Sequence, residues 1–387
     1  LRGDYKLPDG TTGNRLRRWE KHDVKPRPDD IFQERLYCIQ WMRPVPGSSR
    51  YEYEFRAVTP ADLERERIVE EYVAARLAEW QERGWVPDMP IEPGVETERL
   101  YRERGWTHWH HLFNPRQLLV FGLLNSRRTA DSYIKISHAL NWNARLCIWH
   151  RGRDTVTQVF YNQALNTSYD YPCRGFLSLI PLLTVSDIPS HPICGKGVVD
   201  CHEASDTKVE SHLFITDPPY GDAVKYEEIL EFFIAWLRKN PPPEFAGWVW
   251  DSRRALAIRG EGEEFRRGMV AAYRRMTECM PDNGMQVIMF THQSGAIWAD
   301  MAHIVWAAGL QVTAAWYVVT ETDSALREGS YVKGTVLLVC RKRQGALKTT
   351  RDDLAWEIQE EVERQVDLLV GLNQQARGAS RDENVFA

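Results

Sequence analysis

The chain has 387 residues, 43% hydrophobic and 27% charged, a globular balance with length enough for two or three domains. A net charge of −5 at pH 7 excludes binding of polyanions by bulk charge alone, though not by a local basic groove. Seven cysteines, odd in number and without regular spacing, argue for a reducing cytoplasm, and no apolar run is long enough to cross a membrane.

The chain opens at Leu1 without Met or a signal peptide, which reads as a processed product or a fragment of a longer protein. Residues 1–58 are rich in Pro, Gly, Arg and Tyr, and Pro26 and Pro28 break any regular element over 21–30, so an irregular arm is expected. Thr59 then caps an amphipathic helix, with Pro60 at its first position and Asp62 and Glu64 in its first turn. Leu63, Val69, Tyr72, Val73, Leu77 and Trp80 give its apolar face, and Gly84 ends it. Residues 85–105 return to loop chemistry. The arm and this helix form an accessory segment over 1–105.

From Trp106 a basic, aromatic stretch (WTHWHHLFNPRQ) leads through Asn114-Pro115 into an apolar helical pattern. Short mixed elements follow over 151–183. From about Gly197 strands alternate with helices: GVVDC, HLFIT and MQVIMF read as strands, and 225–239, 263–280 and 295–308 as helices. Two long strands, QVTAAWYVV and GTVLLVCRK, read as a hairpin. Alternation of this kind implies an α/β class with a parallel sheet covered by helices on both faces. Residues 106–345 make this core, and 346–387 a C-terminal amphipathic helix and tail.

Asp217-Pro218-Pro219-Tyr220 stands directly after the strand HLFIT. In open α/β sheets ligands bind beyond the carboxyl ends of strands. Two prolines fix the backbone and leave their carbonyls free, so a carboxylate, a rigid carbonyl and an aromatic face are held close together. That set suits a planar exocyclic amine. Asp217 accepts one N–H, the Pro218 carbonyl accepts the other, and Tyr220 stacks on a base taken out of its helix. The competing reading is a Pro-rich turn whose aspartate caps the next helix.

These residues resemble the DPPY motif of amino-methyltransferases that use S-adenosylmethionine on nucleic-acid bases. The phrases TDPPYGDAVKYEEILEFFIAWL, HWHHLFNPRQLLVFGLL and ALNWNARLCIW are similar to a narrower group, the large adenine-specific DNA methylases with a zinc-ribbon insertion linked to anti-phage defence. The likeness spans about residues 15–345. It implies a Rossmann-like class I methyltransferase sheet, present here in its C-terminal half, with a helical aromatic-rich insertion. It implies catalytic roles for Asp217, Pro218, Pro219 and Tyr220, and DNA as the substrate. Residues 198–205 resemble the strand before the catalytic one, where an acidic residue reaches the cofactor's adenine, with Glu203 as the candidate and Asp200 and Asp206 behind it. The asparagine version of the motif acts on other amines, so the aspartate favours DNA bases by resemblance.

The family's glycine-rich turn, a phrase like DPFxGxG, and the paired CxxC motifs of its zinc ribbon are absent. The resemblance therefore implies that an upstream segment or a partner subunit carries the cofactor half. The expected function is methyl transfer to N6 of adenine in DNA, in a restriction-modification or anti-phage system. The rivals are N4-cytosine or RNA-base methylation, and a non-catalytic methyltransferase-like DNA-binding subunit of a defence complex. His191, Cys194, Cys201 and His202 are poorly spaced for zinc, and no metal site is expected. His108, His110 and His111 with Trp106 and Trp109 fit a packed aromatic corner better than a metal or nucleic-acid site. Arg127, Arg128, Arg151 and Arg153 are candidate phosphate contacts.

Overall fold

The first segment folds as two β-ribbons instead of an irregular arm. Strands β1 (Arg2–Lys6) and β2 (Thr12–Leu16) pair antiparallel, as do β3 (Cys38–Pro44) and β4 (Tyr51–Ala57). The signal was in the sequence: Tyr51, Tyr53 and Phe55 alternate with Glu52, Glu54 and Arg56, the period of a strand. Gly47, at φ 72°, turns the second ribbon where a side chain would be strained. The computed structural model describes residues 2–16, 20–25, 34–48, 50–129, 132–152, 154–161, 164–183, 195–219, 224–258, 262–319, 334–345 and 349–377. They divide into two compact units, residues 1–208 with 219–275, and residues 209–218 with 276–387.

The first unit continues with α1 (Pro60–Ala74) and α2 (Leu77–Glu82), two helices where the sequence predicts one. Thr59 is the expected N-cap and forms a capping box with Asp62, and Gly84 closes α2 at φ 69°. Helix α3 (Glu98–Arg104) occupies a stretch read as loop. Helices α4 (Pro115–Ser126) and α5 (Ser132–Asn141) follow, and Asn114 caps α4 reciprocally with Gln117. A short ribbon, β5 (Trp149–His150) with β6 (Thr155–Val156), precedes α6 (Phe176–Leu179). The unit ends with α7 (Tyr226–Ile229), α8 (Glu231–Leu237) and most of α9 (Gly262–Glu278).

Its core is aromatic. Trp109, Leu112, Phe113 and Phe121 from the WTHWHHLFNPRQ region and α4 are buried with Phe232 and Trp236 of α8. Phe113 stacks on Phe232 at 5.6 Å, and Trp236 meets Phe113 edge-on at 5.0 Å. Fully burying side chains of this kind stabilises the unit by roughly 1.5–3 kcal/mol each. The aromatic stretch that begins at Trp106 thus supplies this core.

The second unit is built on a four-stranded sheet ordered β7-β8-β10-β9, where β7 is Leu213–Thr216, β8 Met285–Phe290, β9 Leu310–Val319 and β10 Gly334–Lys342. The neighbours β7 and β8 run parallel, and β10 is antiparallel to both β8 and β9, so β7, β8 and β9 point the same way. The fold is therefore α/β with a mixed sheet, and its two long last strands pair antiparallel as the sequence predicts. Gln286, Ile288, Phe290, Leu338 and Cys340 form its buried face. Helix α10 (Gly295–Ala307) covers that face through Trp298, which meets Phe290 edge-on at 4.9 Å. The end of α9 lies there too, Thr277 accepting a hydrogen bond from Gln286 at 2.9 Å. On the opposite face Leu213, Ile215, Trp316 and Val318 are exposed, while Val287, Met289 and Leu337 at its centre are half-buried. Helix α11 (Arg351–Arg377) ends the unit, with Leu354, Ile358 and Val362 exposed along it. No helix among the described residues is long and apolar enough to cross a membrane.

Candidate functional site

Strand β7 ends at Thr216, and Asp217 and Pro218 follow in irregular backbone at the carboxyl end of the parallel pair. Parallel pairing sets Thr216 opposite Ile288, so the carboxyl ends of β7 and β8 open on the same edge of the sheet. The apolar alternation of HLFIT makes the strand, and the two prolines stop it, since neither can donate to a ladder. Asp217 and Pro219 are exposed, and Pro218 is half-buried. Tyr220, the fourth residue of the motif, lies outside the described residues, as do 221–223.

At the same carboxyl edge the loop after β8 carries a group that sequence reasoning passed over. His292 accepts a hydrogen bond from the Ser294 backbone at its Nδ1 (2.9 Å), and its carbonyl accepts one from the Trp298 indole (2.9 Å). The polar run Thr291-His292-Gln293-Ser294, directly after an apolar strand, was the available signal. A carboxylate, a proline carbonyl and an anchored imidazole thus line one end of one sheet. Such groups accept and donate hydrogen bonds to a polar ligand without a metal ion.

The cofactor candidates lie in the first unit, and the strand expected to carry them is not formed. Residues 195–203 make no ladder, and Val198 and Val199 are 82% and 65% exposed. A β-branched run becomes a strand only beside a neighbour that takes up its backbone groups and covers a face. Asp200 instead pairs with His202 at 3.2 Å and accepts the Cys201 N–H at 2.8 Å. Glu203 precedes a single 3₁₀ turn, Ala204–Asp206, and accepts the Ser205 hydroxyl at 3.3 Å. Both carboxylates have local partners, and no glycine-rich turn stands beside them.

The remaining candidates resolve into structure. The rings of His108, His110 and His111 lie 4.4–5.6 Å apart, and no group of three or more His, Cys, Asp or Glu among the described residues could hold a metal. Burial, with repulsion from His111 and His108, pushes His110 down to about 4. His191 and Cys194 lie outside the described residues. Arg128 donates to the Asn240 carbonyl at 2.6 Å and stacks over Tyr133, so it braces α4 against the segment after α8. Arg127 and Arg151 are exposed, and Arg153 is outside the described residues.

One buried network holds the helices that follow the tetrapeptide. Glu228 of α7 accepts the backbone N–H groups of Val95, Glu96 and Thr97 at 3.0, 2.9 and 3.2 Å. Glu231 of α8, wholly buried, takes a bidentate pair from Arg254 at 2.9 and 2.8 Å, and Arg254 also donates to the Glu92 and Pro93 carbonyls. Burial works against the Arg254 charge, but the Glu231 hydrogen bonds and the charges of Glu231, Glu228 and Glu92 outweigh it and raise its pKa. The carboxylates in EEILEFF, read only as helix, are thus the clamp on loop 92–97. Compared with known protein families, curated proteins and solved structures, this chain matches none.

Proposed function

We propose that the chain is the base-binding portion of an S-adenosylmethionine-dependent amino-methyltransferase, with N6 of adenine in DNA as its target. The observation that carries this reading is the position of Asp217 and Pro218 at the carboxyl end of β7, in a sheet ordered β7-β8-β10-β9. There the Asp217 carboxylate and the Pro218 carbonyl accept the two N–H groups of an exocyclic amine, which turns the nitrogen lone pair away from the base's π system. Tyr220 would supply the stacking face. The family's glycine-rich turn is absent from the sequence, so in this reading the methyl donor would arrive with a further segment or partner. The outer edge of β7, the end strand of the four-stranded sheet, is a natural place for it, and Leu213 and Ile215 on one face of that strand are 47% and 63% exposed. An exposed apolar edge strand is a liability that proteins normally cover. The reading carries with it a cytoplasmic location and a role in restriction-modification or anti-phage defence.

The locally satisfied Asp200 and Glu203 favour a second reading, a DNA-binding subunit without catalysis. Both readings are tested by incubating the complete assembly with DNA and labelled S-adenosylmethionine, then analysing the nucleosides by mass spectrometry. The expected product is N6-methyladenine, lost in Asp217→Ala while the circular dichroism spectrum is kept. N4-methylcytosine alone would reject adenine and leave the role of Asp217 standing. An Asp217→Ala protein that keeps most of its rate would reduce the motif to a turn.

A further inference from the structure

The segment leaving α8 forms one wall of an open cleft in the first unit. Three prolines, 241–243, end the helical run, and a 3₁₀ turn, Pro243–Phe245, leads to Trp248 and Trp250. The cleft has a volume of about 570 Å³, lined among others by Arg238, Lys239, Pro241, Trp248, Trp250 and Asp251. That volume lies within the ordinary range of small-molecule sites.

Its walls are set before any ligand enters. The Trp250 indole N–H and the Trp248 backbone N–H both donate to the Phe245 carbonyl, at 2.9 and 3.0 Å. The two indoles lie 25° from parallel with centroids 6.1 Å apart, and Phe245 extends the row at 4.6 Å from Trp248. Across the cleft Arg238 Nε donates to Asp251 at 2.8 Å, and Lys239 holds Asp88 at 2.6 Å and the Gln81 carbonyl at 2.6 Å. The Pro241 carbonyl accepts the Tyr133 hydroxyl at 3.0 Å. A pre-set site avoids the ordering cost of binding.

We propose that this cleft binds an unpaired nucleobase, stacked on the indole row of Trp248 and Trp250 that lines it. Phe245, Trp248 and Trp250 form a row of rings on which a further planar ring can stack. Every base has a π face, and stacking on aromatic side chains tolerates any sequence. Arg238 and Asp251 offer a donor and an acceptor at the rim, the pair of functions that a base edge presents. The charges of Arg238 and Lys239 are balanced by Asp88 and Asp251, so a bare anion gains little here. The ligand is therefore selected by its ring and not by its phosphate. Its test reads binding and not methylation, so this proposal and the role of Asp217 can each fail alone.

The test measures fluorescence anisotropy of a labelled single-stranded DNA of about ten nucleotides with the full chain and with two variants that keep a bulky apolar side chain. Trp248→Phe keeps a π face and should bind within about twofold of the parent. Trp248→Leu removes it and should bind about tenfold more weakly, the effect of losing one stacked base. Adenosine 5′-monophosphate should displace the DNA, and inorganic phosphate at the same concentration should not. The Trp248 indole N–H makes no hydrogen bond within the described residues, so neither variant leaves a buried partner unsatisfied. Parental affinity in Trp248→Leu overturns the proposal. So does equal loss in both variants, or displacement by phosphate as effective as by the nucleotide.

Discussion

The Arg254–Glu231 pair gives the sharpest test of what holds the first unit together. Glu231 is 0% and Arg254 6% exposed, so neither charge is screened by water. Replacing Glu231 with Leu leaves the guanidinium with the Glu92 and Pro93 carbonyls and with the Glu92 and Glu228 carboxylates at 3.8 and 4.0 Å. Partial compensation puts its cost near the lower end of the range for a broken buried pair, about 3 kcal/mol. Arg254→Met strips Glu231 of its cation and lets go of loop 92–97 as well, so about 4–5 kcal/mol is expected. The double variant removes both charges and replaces them with apolar bulk, and its cost should fall to about 2 kcal/mol or less. The cycle therefore predicts a coupling of several kcal/mol, read by urea unfolding followed through tryptophan fluorescence and far-ultraviolet circular dichroism. Additive losses, or a Glu231→Leu cost below about 1 kcal/mol, would mean the pair is incidental to stability.

Three further outcomes follow from the same coordinates. Burial holds His110 at about 4 instead of the ordinary 6.5 of histidine, so the unfolded chain binds more protons between those values, and stability should fall as pH drops from 6.5 toward 4. Melting temperature against pH should show that slope, and His110→Gln should flatten it. A Cβ on Gly122 of α4 would stand 2.8 Å from the Trp80 ring, so Gly122→Ala should cost about 1–3 kcal/mol in a denaturant melt, whereas an unchanged midpoint would show that Trp80 moves freely. Burial pushes the Cys147 thiol up to about 12 and those of Cys173 and Cys340 to about 11. Peptide mapping after a thiol reagent at pH 8 should therefore find exposed Cys38 and Cys201 modified in the folded protein and those three only after unfolding.

The sequence alone determined most elements whose signals are local. Thr59-Pro60 and Asn114-Pro115 mark helix starts because a cap and a proline act within one turn, and Met285–Phe290, Gly295–Ala307 and Gly334–Lys342 follow from apolar runs bounded by glycine or polar residues. The same locality placed Asp217 and Pro218 at a strand end. Tertiary structure decided the rest. Residues 197–201 have strand composition yet form no ladder, because a strand exists only where a neighbour accepts its hydrogen bonds, and no spacing in the sequence announces that neighbour. In β3 and β4 the error ran the other way: the alternation was legible, but proline-rich flanks hid a ribbon that a cross-strand partner makes stable. The Glu228 and Arg254 network and the Trp248–Trp250 cleft join residues as far as 162 positions apart, and a buried charge reveals its role only when its partner has been brought to it.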